Sequence, residues 1–112
     1  MKVLVVGGAG YVGGIIRPAL EAKFDCSYFD RRAVEGTPAD RMFVGDVLDS
    51  KLVHKAVKGV DAILYMAMGT VSHELSATGH RADVHDVGIA FGVNAAAFYG
   101  FAQAAMAGGT KR

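Results

Sequence analysis

The sequence predicts an α/β fold, a doubly wound parallel sheet in which four N-terminal strands carry flanking helices. Three observations predict it. Short apolar runs alternate with longer stretches of helical periodicity, the pattern of strand–helix–strand units. The first run, Val3-Leu4-Val5-Val6, is apolar at every position, which suits a parallel strand covered on both faces. That run breaks into Gly7, Gly8 and Gly10, and a helical pattern starts after Tyr11-Val12-Gly13.

A strand, a glycine turn and a helix start form the geometry that receives a dinucleotide pyrophosphate. The free N–H groups of the first helical turn face the ligand, and the helix dipole favours its charge. Glycine is needed where backbone must approach the phosphates. Gly7, Gly10, Tyr11, Val12 and Gly13 are the candidates for this contact. The glycines read in two registers. Gly8, Gly10 and Gly13 spell G-x-G-x-x-G, the usual Rossmann fingerprint, whereas Gly7, Gly10 and Gly13 spell G-x-x-G-x-x-G, the spacing of short-chain dehydrogenases/reductases. The glycines alone do not choose between them.

The first helix is expected over about 11–22, with Val12, Ile15, Ile16, Ala19 and Leu20 inward and a bend or adjustment near Pro18, which lacks an N–H. The second strand, 26–29, ends at Asp30, 17 residues after Gly13. An acid there accepts hydrogen bonds from the adenosine ribose hydroxyls and repels a 2′-phosphate, which favours NAD over NADP. Arg31 and Arg32 follow at once and pull the other way, since arginine pairs with phosphate.

Residues 35–39 read as a loop and 41–44 as the third strand, followed by Gly45-Asp46-Val47-Leu48-Asp49. The carboxylate of Asp46 can meet the adenine amino group, and the N–H of Val47 the ring. Asp49, with Ser50 in competition, caps a helix running to about 58. Its inward residues are Leu52, Val53, Ala56 and Val57, and His54 faces solvent.

The fourth strand is expected over 62–67, and its end, Ala67-Met68-Gly69, is small and apolar enough to lie beneath a nicotinamide ribose. Residues 70–86 are irregular, a candidate substrate lip or a plain loop, and they hold His73, His80 and His85. Those spacings match no common metal site, and no metal is expected. The last helix, about 84–107, is apolar nearly all round, with Asn94 the polar exception. One face can cover the sheet. The other requires a second subunit or a further helix, and a homodimer through this helix is expected.

Length and composition agree with this reading. At 112 residues the chain is one domain or part of one, and its 52% hydrophobic content supports a folded core. A net charge of +1 gives no basic surplus to suggest nucleic acid or an anionic membrane. Cys26 is the single cysteine, so no internal disulfide forms; it reads as a buried strand residue. Residues 3–6 are too short for a signal-peptide core, and no run approaches the ~20 apolar residues of a membrane span. The stretch 87–107 reads as a buried helix, and a cytoplasmic protein is expected.

Taken together, the chain resembles the N-terminal part of extended short-chain dehydrogenases, the NAD-dependent epimerase/dehydratase family. The resemblance rests on Gly7/Gly10/Gly13, Asp30, Gly45-Asp46-Val47-x-Asp49, the strand opened by Asp61, Val93-Asn94, Ala104-Ala105, and the ending Gly109-Thr110-Lys111-Arg112. It spans essentially the whole chain. Val6 stands where members usually have threonine, and Tyr65-Met66-Ala67-Met68 stands where His-Leu-Ala-Ala is common. The resemblance implies an NAD(P)-binding Rossmann domain over 1–112, in an enzyme that epimerises, dehydrates or oxidises a sugar nucleotide or related hydroxyl/ketone substrate. It implies a structural role for Asn94, bonding backbone or water near the site.

The family's acid/base chemistry uses a Tyr-x-x-x-Lys pair. Four residues after Tyr11, Tyr28, Tyr65 and Tyr99 lie Ile15, Arg32, Gly69 and Gln103, so no catalytic residue is assigned. The chain is expected to be the cofactor-binding front of an enzyme of about 300 residues, ending where a fifth strand should begin. Three other readings stand beside it: a dinucleotide-binding module or sensor without turnover, a nucleotide-sugar dehydrogenase read through Gly8/Gly10/Gly13, and a truncated fragment without activity.

Overall fold

The computed structural model describes residues 1–69 and 84–112. The chain runs through β1 (Lys2–Val6), α1 (Tyr11–Glu21), β2 (Asp25–Asp30), a 3-10 turn (Ala39–Arg41), β3 (Met42–Val44), α2 (Ser50–Ala56) and β4 (Ala62–Tyr65). One helical stretch follows: α3 (Val84–Phe91), a π-helical segment (Gly92–Ala97) and α4 (Phe98–Gly108). The substrate-lip reading, with His73 and His80, lies outside the described residues, as does the side chain of His85.

The four strands form one parallel sheet in the order β3-β2-β1-β4, a Rossmann-type arrangement. β1 is central. The connection after it leads to β2 on one side, and the later chain returns to β4 on the other. This reversal opens a crevice at the carboxyl ends of the strands.

The pleat divides β1 between two cores. Leu4 and Val6 face α2 and α4, joining Phe29, Val53, Ala56, Val57, Phe101 and Ala104. Val3 and Val5 face α1, with Cys26, Tyr28 and Val34 and, partly buried, Leu20. Phe101 is the anchor of the larger core. Its ring meets Phe29 edge-on at 5.2 Å and Tyr65 at 5.5 Å. Phe101→Ala is expected to destabilise the fold by about 3–5 kcal/mol, read by chemical denaturation.

The predicted inward face of α1 needs correction. Val12, Ile15 and Ala19 are exposed, whereas Gly13 is buried and Ile16, Arg17 and Leu20 are half-buried. The cause is Gly13, whose close contact with Gly8 sets the rotation of the helix and turns the 13-16-20 stripe to the sheet. Arg17 therefore sits on the inner side, 5.5 Å over the Tyr28 ring, and pairs with Glu21 at 2.7 Å. The Tyr28 hydroxyl also donates to Glu21, at 2.8 Å. Burial pushes the Tyr28 pKa up, and the Arg17 hydrogen bond holds that of Glu21 down. α1 runs through Pro18 without a break. β4 ends at Tyr65, two residues earlier than expected.

The last helix is not buried all round. Ala97, Phe101, Ala104 and Ala105 are buried, but Ile89, Phe91, Phe98, Tyr99 and Met106 are exposed. By length and composition alone Val87–Gly108, at 22 residues and mean hydropathy 1.3, is apolar enough to cross a membrane, so the expectation that no run approaches a span was too strict. Gly109, at φ +81°, stops the helix. Lys111 N–H then donates to the Asp61 carbonyl, and Ile63 N–H to that of Arg112, along the outer edge of β4.

Candidate functional site

A cleft of about 1220 Å³ opens at the carboxyl ends of the strands. Ligand clefts commonly run about 300–1000 Å³, so this one has room for an extended ligand. It draws on all twelve candidate cofactor-binding residues, together with several that were not singled out.

The glycine turn forms one wall: Gly7, Gly10, Tyr11, Val12 and Gly13 all line the cleft. Two of these glycines are demanded by the protein itself. Gly7 sits at φ +89°, and a Cβ there would lie 2.6 Å from the Ala67 nitrogen. A Cβ on Gly13 would collide with the Gly8 carbonyl. Gly10 is different. Its φ of −79° is open to any residue, and the nearest atom to a Cβ would be the Gly7 oxygen at 3.4 Å. As the N-cap of α1 it also offers no side-chain oxygen. The first-turn amides of α1 are thus left toward the cleft, at the positive end of the helix dipole, where an anion is favoured.

Asp30 stands at the end of β2, with Arg31 beside it on the rim. Its Oδ2 accepts from the Ala9 N–H at 2.9 Å and its Oδ1 from the Arg32 N–H at 3.2 Å. The Arg32 guanidinium donates to the Ala9 carbonyl at 3.1 Å. Asp30 therefore braces the glycine turn, a role invisible in the motif spacing. A carboxylate has about four lone-pair sites, so two remain for a ligand.

Beyond β3, Asp46 accepts from the Leu48 N–H at 2.8 Å, and the Asp49 N–H donates to the Asp46 carbonyl at 3.0 Å. This tight turn presents Asp46, Val47 and Leu48 to the cleft. Asp49 caps α2 as expected, accepting from the amides of Lys51 and Leu52, each at 3.1 Å.

The opposite wall is Ala67, Met68 and Gly69, preceded by Met66, whose N–H donates to the Val6 carbonyl at 2.7 Å. Asn94 clamps this segment. Its Oδ1 accepts from the Gly69 N–H at 3.0 Å, and its Nδ2 donates to the Gly69 carbonyl at 3.1 Å. The Tyr65 hydroxyl donates to the Val93 carbonyl at 2.6 Å. Burial pushes the Tyr65 pKa up to about 12, so it stays protonated near neutrality. Val93 and Asn94 lie in the π-helical segment, whose widened turn departs from the i→i−4 ladder. Asn94→Ala is expected to reduce stability by about 1 kcal/mol, because the clamp is solvent-accessible, and to quicken amide exchange at Gly69, read by NMR.

Gly88, Ile89 and Gly92 also line the cleft. The signal for them was the four-residue spacing of Gly88 and Gly92, which puts both on one helix face. Among the described residues no group of three His, Cys, Asp or Glu side chains could hold a metal ion.

The profile of the NAD dependent epimerase/dehydratase family matches residues 3–100. A UDP-glucose 4-epimerase of Lactobacillus helveticus is 36% identical over 76 residues, covering 60% of this chain and 22% of that protein. A short-chain dehydrogenase/reductase superfamily protein of Agrobacterium tumefaciens, solved with bound NAD, superposes with a TM-score of 0.80 at 26% identity, covering 100% of this chain and 31% of that one. The UDP-glucose 4-epimerase of Thermus thermophilus, solved in complex with NAD, gives a TM-score of 0.76 at 26% identity, covering 99% and 35%. The chain thus spans roughly a third or less of the length of these relatives.

Proposed function

Because the chain belongs to the NAD dependent epimerase/dehydratase family, we propose that it is the NAD-binding portion of an oxidoreductase acting on a sugar nucleotide or a related hydroxyl or ketone substrate. The observation that carries the reading is Gly10: a glycine that packing does not require, at an uncapped helix start, on the floor of the cleft. A bound dinucleotide would explain why no side chain occupies that space.

In this reading the amides at Gly10, Tyr11, Val12 and Gly13 hold the pyrophosphate, with Gly7 shaping the turn. Asp30 accepts from the adenosine ribose hydroxyls, with Arg31 at its edge. Asp46 and the Val47 N–H meet adenine, and Ala67, Met68 and Gly69 flank the nicotinamide side. When bound, the nicotinamide supplies a hydride acceptor or donor. The chain's own residues bind and orient it; with no Tyr-x-x-x-Lys pair among the 112 residues, we assign them no proton transfer.

Calorimetric titration of the chain with NAD tests the proposal. Saturable binding at one site per chain is expected; no binding at millimolar NAD would refute it.

The exposed Phe91, Phe98, Tyr99 and Met106 call for a cover. We propose a second copy of the chain, packed helix against helix. Sedimentation at rising concentration should show dimers, and a monomer at all concentrations would reject this cover.

A further inference from the structure

We propose that Tyr65 is a positioning residue for the nicotinamide end of the cleft, its hydroxyl holding the π-helical turn that sets Asn94 against Gly69. This rests on the dinucleotide reading above and adds to it a residue that does not itself line the cleft. In the sequence Tyr65 marks only a departure from the family pattern. Three observations carry the proposal.

The wall from Ala67 to Gly69 is pinned at both ends to two consecutive residues of one helix. Before it, the Tyr65 hydroxyl donates to the Val93 carbonyl at 2.6 Å. At its end, the Gly69 N–H donates to Asn94 Oδ1 at 3.0 Å, and Asn94 Nδ2 donates to the Gly69 carbonyl at 3.1 Å. A rotation of the helix at 93–94 therefore moves both pins together. The fit is close, since a Cβ on Gly69 would lie 3.0 Å from the Ala90 Cα and 3.1 Å from the Val93 Cβ.

The two pins are unequal. The Tyr65–Val93 bond is partly buried, and the ring that carries it lies edge-on to Phe98 at 5.4 Å and to Phe101 at 5.5 Å. The Asn94 bonds are exposed, so water competes for the same groups. An exposed amide holds a backbone segment only where its helix already presents it, because ordering both anew costs entropy. The sheltered Tyr65 bond fixes that presentation.

The helix is wound to suit. Gly92–Ala97 is π-helical, and the Phe98 N–H donates to the Ala95 carbonyl, three residues back. In an α-helix that N–H would be given to Asn94, four residues back. A side chain inserted into the helical ladder is one cause of such distortion, and the Tyr65 hydroxyl reaches this turn from outside the helix. Without it the turn relaxes toward α geometry and carries Asn94 off Gly69.

The test compares wild type, Tyr65→Phe, Asn94→Ala and the double variant in the full chain, with each fold checked by circular dichroism. Tyr65→Phe keeps the ring and its aromatic contacts and removes only the hydroxyl. Amide exchange at Gly69 is read by NMR without ligand, and NAD and AMP are titrated by calorimetry. Tyr65→Phe is expected to quicken Gly69 exchange and to weaken NAD by about fivefold, the fold-change of one neutral hydrogen bond. AMP, confined to the adenosine end at Asp30 and Asp46, should stay within about twofold. Because both residues act through one segment, the double variant should exchange at Gly69 no faster than Asn94→Ala alone. Unchanged exchange in Tyr65→Phe, or effects that add in the double variant, would overturn the proposal and leave the hydroxyl as a bond of the fold. Quickened exchange with NAD affinity unchanged, or equal losses of NAD and AMP, would overturn the role at the nicotinamide end. Wild type that binds neither ligand overturns the dinucleotide reading, while the exchange rates still decide whether Tyr65 holds Gly69 through Asn94.

Discussion

Gly10→Val is expected to weaken NAD binding by at least about 100-fold while the chain keeps its fold. The isopropyl group would enter the cleft where the pyrophosphate must lie against the first turn of α1. Loss of two amide contacts to a charged group, at about 1.5 kcal/mol each, already amounts to about 100-fold. The fold should survive because the residue's φ of −79° suits valine and its Cβ would meet only the Gly7 oxygen, at 3.4 Å. Changing the N-cap from glycine to valine costs about 1 kcal/mol or less. Gly13→Val is the control. Its side chain would run into the Gly8 carbonyl, so it should lose structure and binding together, seen by circular dichroism. Unchanged affinity in a folded Gly10→Val would reject the phosphate turn.

Asp30→Ala has the second largest expected effect, and it separates two roles of one carboxylate. Removing the acceptor of the partly buried Ala9 N–H costs about 1–3 kcal/mol in the glycine turn, measurable as a lower denaturation midpoint. Removing the ribose acceptor should weaken NAD by about 10–100-fold, since hydrogen bonds to charged groups contribute about 1.5–3 kcal/mol. NADP should lose less, because the repulsion of its 2′-phosphate disappears with the charge. Asp30→Asn keeps an oxygen for Ala9 and should recover most of the stability but not the NAD preference. An equal loss of both cofactors would leave Asp30 as a brace and nothing more.

Much of the fold was legible because its signals are local. The apolar run before the glycines and the cap at Asp49 each depend on a few adjacent residues, and each lies where the sequence indicates. The twelve candidate site residues also share one cleft, since parallel strands bring their carboxyl ends to one edge of the sheet.

What was not legible depends on distance or on rotation. Periodicity shows that α1 has an apolar stripe at 12-15-16-19-20, but the contact between Gly13 and Gly8 decides which side of it meets the sheet. The Asn94 clamp joins residues 25 positions apart, and the π-helical segment that carries Asn94 has no pattern of its own in composition. The link from Asp30 to Ala9 spans 21 positions and exists only once β2 lies beside the turn. The exposed face of the last helix was foreseen in outline, from apolar residues spaced all round it. Its extent is larger than a buried helix allows, with Met106 at 79% and Phe91 at 68% exposure.

The most direct test of the central claim, a dinucleotide lying across the carboxyl ends of the strands, is an NMR titration of the isotope-labelled chain with NAD, following backbone amides. Saturable shifts are expected at Gly10, Tyr11, Val12 and Gly13, at Asp30 and Arg31, at Asp46 and Val47, and at Ala67 through Gly69. The outer faces of α2 and α4 should stay unmoved. An absence of saturable shifts, or shifts confined to the exposed face of the last helix, would contradict it.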